Sequence, residues 1–483
     1  MEDFCSYVGQ AIDLFRYDPR SPMLFSSGLF LFVFLGFSLI YGLLKRRLTL
    51  RIVYVTLFSL YFYYKTSGLF FLLLVGLSLS DFAIGRLMHR SRRSGARKSL
   101  LVLSLLINLG LLCYFKYADL IVSAVAGLID RTLTLPDIFL PVGISFFTFQ
   151  SMSYVIDLYR RQIEPVRRWI DYLFYLSFFP QLVAGPIVRA RDFLPQIYRN
   201  PVFVSRDMFG RGVFLILSGL FKKAIISDYI SLNFVDRVFD NPMLYSGFEN
   251  LMGVYGYALQ IYCDFSGYSD MAIGLALLLG FRFPINFDSP YQSATITEFW
   301  RRWHITLSGW FRDYIYIPLG GNRKGQARQL LNMFLVWAAT GIWHGASWNF
   351  IAWGLYYFVL LTIEKTFLLK YLKKGKVWPH IYTLFFVVLG WGIFTANQPG
   401  APLGLLLQKL FVPQGGISPV YYLRNYGVLL VLGCVCSSAL PHWLWEKISK
   451  NTVAKLLVFA LLTALCVCYV VAATNATALY ANF

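Results

Sequence analysis

Long apolar runs that alternate with short basic bursts are the dominant pattern along this chain. The first run covers residues 23–44 and is followed directly by Lys45, Arg46 and Arg47. A membrane helix needs about 20 mainly apolar residues, because a rise of about 1.5 Å per residue must cross roughly 30 Å of hydrocarbon. The run therefore predicts a membrane helix whose basic end lies in the cytoplasm. Residues 1–22 have an acidic start and no basic n-region, so we expect no cleavable signal peptide.

The same alternation continues towards the C-terminus and predicts a polytopic, all-α membrane protein. The later apolar runs are 52–64, 69–88, 99–128, 138–158, 330–343, 350–369, 381–395, 426–445 and 453–473. Together with less regular segments they predict about 11–13 spanning or half-spanning helices. We expect one membrane domain over residues 1–483, with a core at 23–369 and peripheral C-terminal helices at 378–473.

The middle of the chain departs from this regular pattern. Residues 173–188 contain Pro180, Gly185 and Pro186, and residues 252–283 contain several polar side chains, among them Asp264. Broken backbone or polar groups at membrane depth are tolerated only where protein or a water-filled cavity surrounds them. Both segments are therefore expected to lie inside the helical assembly.

Composition excludes the main soluble classes. Charged residues make up 14% of the 483 positions and apolar residues 57%, whereas a soluble globular protein carries roughly 25% charged residues. The 44 Lys and Arg exceed the 24 Asp and Glu by 20, but they fall in bursts beside apolar runs. The composition and the distribution of basic residues exclude a cytoplasmic enzyme, a disordered tail and a nucleic-acid-binding domain. Membrane lipid is therefore an expected partner. The cysteines lie mostly in apolar runs, so neither a disulfide framework nor a metal site is expected.

His344 is the histidine whose setting points most directly to chemistry. It lies in the sequence 341–345, Gly-Ile-Trp-His-Gly, at the far end of an apolar run. An ionisable side chain beside membrane sequence is costly and usually faces a bundle interior or a cavity, and the flanking glycines allow close approach. The alternative is an interfacial histidine that is satisfied by one hydrogen bond.

His304 lies in a second unusual stretch, residues 298–325, which mixes cations with tryptophans. The stretch is too polar to span lipid and too aromatic for an ordinary loop, which favours a re-entrant or interfacial segment packed against the bundle. The alternative is an aromatic belt with snorkelling arginines.

An ordered set of motifs occurs along the chain: Trp303-His304, Arg312-Asp313-Tyr314, 317–322, Gly341 to Ala346, and the stretches 141–146, 179–187 and 264–270. Taken together, this set resembles the membrane-bound O-acyltransferase family, in particular its branch of bacterial alginate O-acetylation proteins. The resemblance implies a ring of helices around a central channel and an activity of O-acyl transfer. It also implies that His344 is the catalytic residue and that His304 lies near it.

Acyl transfer from a thioester to an alcohol suits two histidines. The reaction needs a base that takes the hydroxyl proton and a group that stabilises the developing oxyanion, and it needs no metal or redox cofactor. We assign the base to His344, since a neutral imidazole works near physiological pH. His304 could orient the acceptor or donate a hydrogen bond to the thioester carbonyl.

Further residues are expected to bind the substrates, and no bound cofactor is expected. The predicted substrate-binding residues are Trp343, Gly345, Trp303, Arg302, Asp264, Ser266 and Tyr268. Arg323 and Lys324 are predicted to hold the phosphates of the acyl donor, which we expect to be acetyl-CoA. The alternative for these two cations is the ordinary positive-inside bias of cytoplasmic loops.

The position of His344 suggests transfer across a bacterial inner membrane. Residues 330–344 rise by about 21 Å, so His344 lies well past the cytoplasmic interface that the basic residues at 323–328 mark. Family resemblance implies a periplasmic or cell-surface partner that accepts the acetyl group and completes polysaccharide O-acetylation. The exterior stretch between Asn397 and Asn425 is the candidate docking surface for this partner.

Two other functions remain open from the sequence. One is D-alanyl transfer from a carrier-protein thioester, which would use the same chemistry on another donor. The other is a polytopic transporter of glycans or lipids, although no inverted repeat, such as many transporters contain, is visible.

Overall fold

The computed structural model describes residues 13–129, 138–395 and 419–472, and every regular element in these ranges is a helix. The all-α prediction is therefore confirmed for the described residues. Two compact units can be distinguished: a first unit of Met1–Ser205 with Leu279–Phe281, and a second unit of Arg206–Leu278 with Arg282–Ala481. The single membrane domain over 1–483 stays a prediction.

Seven helices of seven residues or more belong to the first unit. They are α1 (Gly28–Leu44), α2 (Leu48–Ser67), α3 (Phe71–Arg90), α4 (Ser94–Ile129), α5 (Ile144–Tyr159), α6 (Trp169–Ser177) and α7 (Ala190–Ile197). A single 3-10 turn, Gly68–Phe70, separates α2 from α3, at the polar break between the two apolar runs. Gly68 has φ +63° there, a conformation that glycine adopts without steric cost.

The broken segment between α6 and α7 lies in the core of the first unit. A short helix, Phe179–Leu182, follows α6, and every residue from 171 to 188 is buried. The ring of Phe179 lies 5.0–6.4 Å, centroid to centroid, from seven other phenylalanines: Phe25, Phe30, Phe34, Phe37, Phe58, Phe62 and Phe178. The prediction that protein surrounds this irregular backbone is confirmed.

The second unit contains the remaining helices of seven residues or more. They are α8 (Arg206–Leu220), α9 (Gly247–Leu278), α10 (Ile296–Arg302), α11 (Ile305–Phe311), α12 (Gln326–His344), α13 (Trp348–Ile363), α14 (Trp378–Thr395), α15 (Pro419–Cys436), α16 (Leu440–Ile448) and α17 (Thr452–Ala472). Wider π-helical turns extend α8 over Phe221–Asp228 and Ser231–Val235, and others follow α11 at Arg312–Tyr316 and α13 at Glu364–Leu368. The polar run that contains Asp264 lies on α9, which is unbroken.

Helices α8 and α9 pack backbone against backbone. A Cβ built on Gly219 would lie 2.4 Å from the carbonyl oxygen of Gly267, and one built on Gly274 would lie 2.6 Å from that of Gly212. No side chain fits at those distances, so positions 219 and 274 require glycine in this packing. Small residues at helix interfaces allow such close approach in membrane proteins.

Five helical stretches among the described residues are long and apolar enough to cross a membrane. They are Leu48–Arg90, Ser94–Ala118, Trp348–Leu372, Trp378–Thr395 and Thr452–Tyr469. The pair α15 and α16, which is bent by 72°, would make a sixth. Helices as short as α10 and α11 cannot cross about 30 Å of hydrocarbon, which agrees with the re-entrant or interfacial prediction for this stretch. The larger count of half-spanning segments, and the ring around a channel, stay predictions.

Candidate active site

Helix α10, which leads to His304, is held at its N-terminus by a buried carboxylate. Glu364 is fully buried and accepts hydrogen bonds from the backbone N–H groups of Ile296 (2.6 Å) and Thr297 (2.9 Å) and from the Thr297 hydroxyl (2.7 Å). The hydroxyl of Thr295 accepts a further bond from the N–H of Glu298. A negative charge at a helix N-terminus is favourable because the free N–H groups carry partial positive charge. Glu364 thus ties the end of α13 to the start of α10.

His304 lies at the start of α11 in a left-handed backbone conformation, with φ +44°. Its ring is buried, its Nδ1 lies 3.1 Å from Oδ1 of Asn286, and its face meets Phe265 edge-on at 4.6 Å. Burial lowers the pKa of His304 to about 3, because the apolar surroundings disfavour the charged form. The imidazole is therefore uncharged at neutral pH.

His344 is the last residue of α12 and is surrounded by aromatic rings. Its ring centroid lies 4.7 Å from that of Trp343, 4.9 Å from that of Trp353 and 5.1 Å from that of Phe394. The side chain is largely buried, and it belongs to the lining of a cavity. His344 thus places a polar ring in a mainly apolar lining.

Glycines allow α12 and α13 to lie close enough for these aromatic rings to surround His344. A Cβ built on Gly341 would lie 2.6 Å from the carbonyl oxygen of Phe350, and one built on Gly354 would lie 2.5 Å from that of Trp337. A Cβ on Gly345 would lie 2.5 Å from the ring of Phe350. The expectation that the glycines around His344 permit close approach is confirmed: they admit the backbone and a ring of α13.

His304 and His344 line the same cavity, which has a volume of about 320 Å³ and which we call the histidine cavity. One wall comes from α10, α11 and the turn after them, through Thr297, Trp300, Arg301, Trp303, His304, Leu307, Ser308, Phe311, Arg312 and Tyr316. The other walls come from Met333, Val336, Trp337, Thr340 and His344 of α12 and from Trp353, Leu361, Lys365, Trp391 and Phe394. A concave, mainly apolar space with a few convergent polar groups is the usual form of a small-molecule site.

The charged residues of the histidine cavity are all cations. Arg301, Arg312 and Lys365 are exposed and belong to its lining, which contains no carboxylate among the described residues. We call these three residues the cationic end of the cavity. Arg312 is paired with Asp313, with its Nε 2.7 Å from the carboxylate. Arg and Lys side chains of this kind suit phosphate groups.

The structure brings three of the predicted site residues to the histidine cavity: His304, His344 and Trp303. Trp343 packs on the ring of His344 from outside the lining, and Gly345 lies against Phe350. Arg302 forms an ion pair with Glu298 at 2.8 Å, and it is Arg301 that lines the cavity. A role of Arg302 in substrate binding stays a prediction.

The other predicted site residues lie outside the lining of the histidine cavity. Asp264 lies 2.7 Å from the ammonium of Lys223, and Tyr268 is buried. Ser266 accepts a hydrogen bond from Lys222 at 3.1 Å and lines a second cavity of about 810 Å³. Arg323 and Lys324 are exposed beyond Gly320, outside both linings. The functional roles of these residues stay predictions.

Comparison with known proteins decides the class of this site. Residues 167–399 match the membrane-bound O-acyltransferase family. The probable alginate O-acetylase AlgI of Pseudomonas aeruginosa is 39% identical over 391 residues, which cover 78% of this chain and 72% of that protein. The chain belongs to the membrane-bound O-acyltransferase family. The predicted membership is confirmed.

Two further relatives are named for related reactions. The peptidoglycan O-acetyltransferase of Helicobacter pylori is 34% identical over 430 residues, or 82% of this chain and 81% of that protein. The teichoic acid D-alanyltransferase of Bacillus subtilis is 31% identical over 280 residues, or 53% of this chain and 69% of that protein. This chain is thus an O-acyltransferase and a multi-pass integral membrane enzyme, rather than the transporter that the sequence left open.

Proposed function

We propose that this O-acyltransferase moves an acetyl group from cytoplasmic acetyl-CoA to a hydroxyl acceptor outside a bacterial inner membrane, for O-acetylation of an exported or cell-surface polysaccharide. One observation carries the proposal: a single cavity is lined by two histidines and by three cations without a carboxylate. The cations suit the phosphates of CoA, and the histidines suit the proton transfer that an alcohol acceptor needs.

His344 acts as the general base in this proposal. Its neutral imidazole takes the proton of the acceptor hydroxyl while the oxygen attacks the thioester carbonyl. The carbon–sulfur bond then breaks, the acetyl group remains on the acceptor oxygen, and the thiolate takes the proton back from the imidazolium of His344. The proton and the electron pairs are balanced without a metal or a redox step. General base catalysis of this kind contributes on the order of 10²–10⁴-fold.

The similarities support acetyl as the transferred group. The two relatives that align over about four fifths of this chain are named for O-acetylation, whereas the D-alanyltransferase aligns over 53% of it. A D-alanyl donor on a carrier protein would reach the same cavity through a phosphopantetheine arm. Labelled acetyl-CoA against a labelled D-alanyl carrier thioester, offered to the same membranes, separates the two donors.

Sealed membrane vesicles test the proposed direction of transfer. Acetyl-CoA does not cross a bilayer, so labelled acetyl-CoA should label polymer in inside-out vesicles and not in sealed right-side-out vesicles. Permeabilising the right-side-out vesicles should restore labelling, which serves as the control for enzyme content. Equal labelling in both sealed preparations would contradict a cytoplasmic donor site.

Neutralising the cationic end should weaken donor binding. The double variant Arg301→Gln/Lys365→Gln is expected to raise KM for acetyl-CoA roughly tenfold, because two solvent-exposed charge contacts are worth about 0.2–1 kcal/mol each. Turnover at saturating donor should stay near that of the wild type, since the phosphates lie away from the reacting carbonyl.

Two matched variants make this measurement specific. Lys374→Gln removes an exposed cation elsewhere in the second unit and should leave KM unchanged. Arg323→Gln/Lys324→Gln tests the two cations that were predicted from the sequence to hold the phosphates of the donor. A rise in KM for the Arg323 and Lys324 variant alone would place the phosphates there and refute their assignment to the cationic end.

The acetyl-accepting partner on the exterior side stays a prediction. Most of the exterior stretch between Asn397 and Asn425, the predicted docking surface, lies outside the described residues. It stays a prediction, to be tested by deleting the stretch and measuring acetylation on the exterior side.

A further inference from the structure

We infer that Asn286 is a positioning residue that fixes His304 in one tautomer, with the proton on Nδ1, so that Nε2 can only accept a hydrogen bond. This inference rests on the proposed function and deepens it, because it decides between the two roles that the sequence leaves open for His304. Asn286 precedes α10 in a loop, and 1% of it is exposed.

The orientation of the Asn286 carboxamide follows from its neighbours. The backbone N–H of Thr306 can only donate, and it points to Oδ1 of Asn286 at 3.3 Å. The Thr306 hydroxyl donates to the same oxygen at 2.9 Å, and Nδ2 of Asn286 donates to the hydroxyl of Ser269 at 3.2 Å. Each amide atom thus has a partner that suits it, and a flipped amide would face an N–H with its own NH₂ group.

The tautomer of His304 is a consequence of this orientation. Its Nδ1 lies 3.1 Å from Oδ1 of Asn286, an oxygen that can only accept. Nδ1 must therefore carry the proton, and in a neutral imidazole the other nitrogen then holds a lone pair. Burial keeps the ring neutral, so Nε2 accepts hydrogen bonds and does not donate them.

Asn286 also supports the backbone that presents His304. The N–H of Ile305 donates to the carbonyl oxygen of Asn286 at 2.9 Å, and the N–H of Asp288 donates to that of Arg302 at 3.0 Å. His304 between them has φ +44°, a left-handed conformation that costs a non-glycine residue energy and persists only where its surroundings impose it. One loop thus fixes both the backbone and the ring.

The fixed tautomer assigns His304 to the acceptor. A neutral ring without an N–H on Nε2 cannot donate to the thioester carbonyl, so that role is excluded while Asn286 holds Nδ1. Nε2 can hold a hydroxyl of the acceptor instead. A sugar carries hydroxyl groups on neighbouring carbons, so His304 can orient one of them while His344 deprotonates the next.

Three variants test the role of Asn286, with transfer from labelled acetyl-CoA as the readout. Asn286→Leu keeps the branch at Cγ but removes the acceptor oxygen, and should lower turnover 10–100-fold, as is typical when an orienting partner of a histidine is lost. KM for acetyl-CoA should stay within twofold. Asn286→Asp keeps an oxygen that accepts from Nδ1 and should stay within about fivefold of the wild type.

A double variant shows whether Asn286 acts through His304. Once His304→Ala has removed the ring, adding Asn286→Leu should cost no more than a further twofold, because the two residues form one unit. Independent, multiplying losses would overturn the inference, and so would an Asn286→Asp variant as impaired as Asn286→Leu. Full activity of His304→Ala would refute the proposed function of His304 itself, before Asn286 is in question.

Two controls separate positioning from folding. Asn250→Leu removes another buried amide, which bonds to backbone carbonyls near the start of α9, and should lower the melting temperature without changing turnover per folded molecule. If Asn286→Leu does not fold, the pH profile of Asn286→Asp still tests whether residue 286 acts on His304. The new carboxylate raises the pKa of His304 above about 3, so the ratio of turnover at pH 8 to that at pH 5 should rise about twofold or more over the wild type.

An unchanged ratio would overturn the inference. Phe265 of α9 and Asn286 contact the His304 ring, and neither side chain titrates in this range. The charged and titratable groups that share its cavity are His344 and the three residues of the cationic end. The wild type and the Asn286→Asp variant both contain these groups, so a difference between their pH profiles reports on the contact between residues 286 and 304.

Discussion

Replacing His344 by alanine is expected to lower acetyl transfer by about 10²–10⁴-fold, the usual contribution of a general base. The aromatic rings of Trp343, Trp353 and Phe394 surround this side chain, and Trp353 and Phe394 also pack against each other. The variant should therefore fold, insert into membranes and bind acetyl-CoA, and lose the step in which the hydroxyl proton is removed.

The measurement is the rate of label transfer from acetyl-CoA per folded enzyme, with enzyme content taken from size-exclusion chromatography in detergent. His380→Ala is the matched control, because it removes an exposed imidazole at the start of α14. Its rate should equal that of the wild type. A His344→Ala enzyme within threefold of the wild type would show that another group takes the proton.

Replacing Gly341 by valine is expected to disrupt the contact between α12 and α13 and abolish activity with it. The new Cβ would lie 2.6 Å from the carbonyl oxygen of Phe350, and backbone cannot move aside as the end of a side chain can. We expect the free energy of unfolding to fall by about 3 kcal/mol, the upper part of the usual range for overpacking. His344, three residues later, would lose its position against Trp353.

A melting curve in detergent and the yield of folded protein measure this effect. Gly110→Val on α4 is the control, because a Cβ at that position has open space around it. It should melt within a few degrees of the wild type. A Gly341→Val protein that melts like this control would mean that the two helices do not pack as closely as described.

Sequence patterns were sufficient for the helical class, the break between α2 and α3, and the two histidines of one site. They pointed to Arg302, whereas it is Arg301 that lines the cavity, because neighbouring positions on a helix point in directions about 100° apart. The lining positions 297, 300 and 301 on α10 follow helical spacing. Counting forward from Thr297 by three and four gives Trp300 and Arg301 rather than Arg302.

Other parts of the site could not be read from local patterns. Asn286 contacts His304 across a loop and a whole helix, and Glu364 caps α10 from 68 residues away in the chain. Neither position has a distinctive neighbourhood in the sequence. The polar residues of α9 could be selected from the sequence because buried charges need partners. Their partners Lys222 and Lys223 lie on the π-helical extension of α8, a segment that showed no clear apolar run.

The five indole rings in the wall of the histidine cavity have a practical consequence. They belong to Trp300, Trp303, Trp337, Trp353 and Trp391, out of twelve tryptophans in the chain. A donor that enters this space displaces water from beside these fluorophores, so ultraviolet emission should change on binding even when no acyl group is transferred. The enzyme thus contains its own optical titration signal, with which occupancy can be followed in variants that no longer turn over.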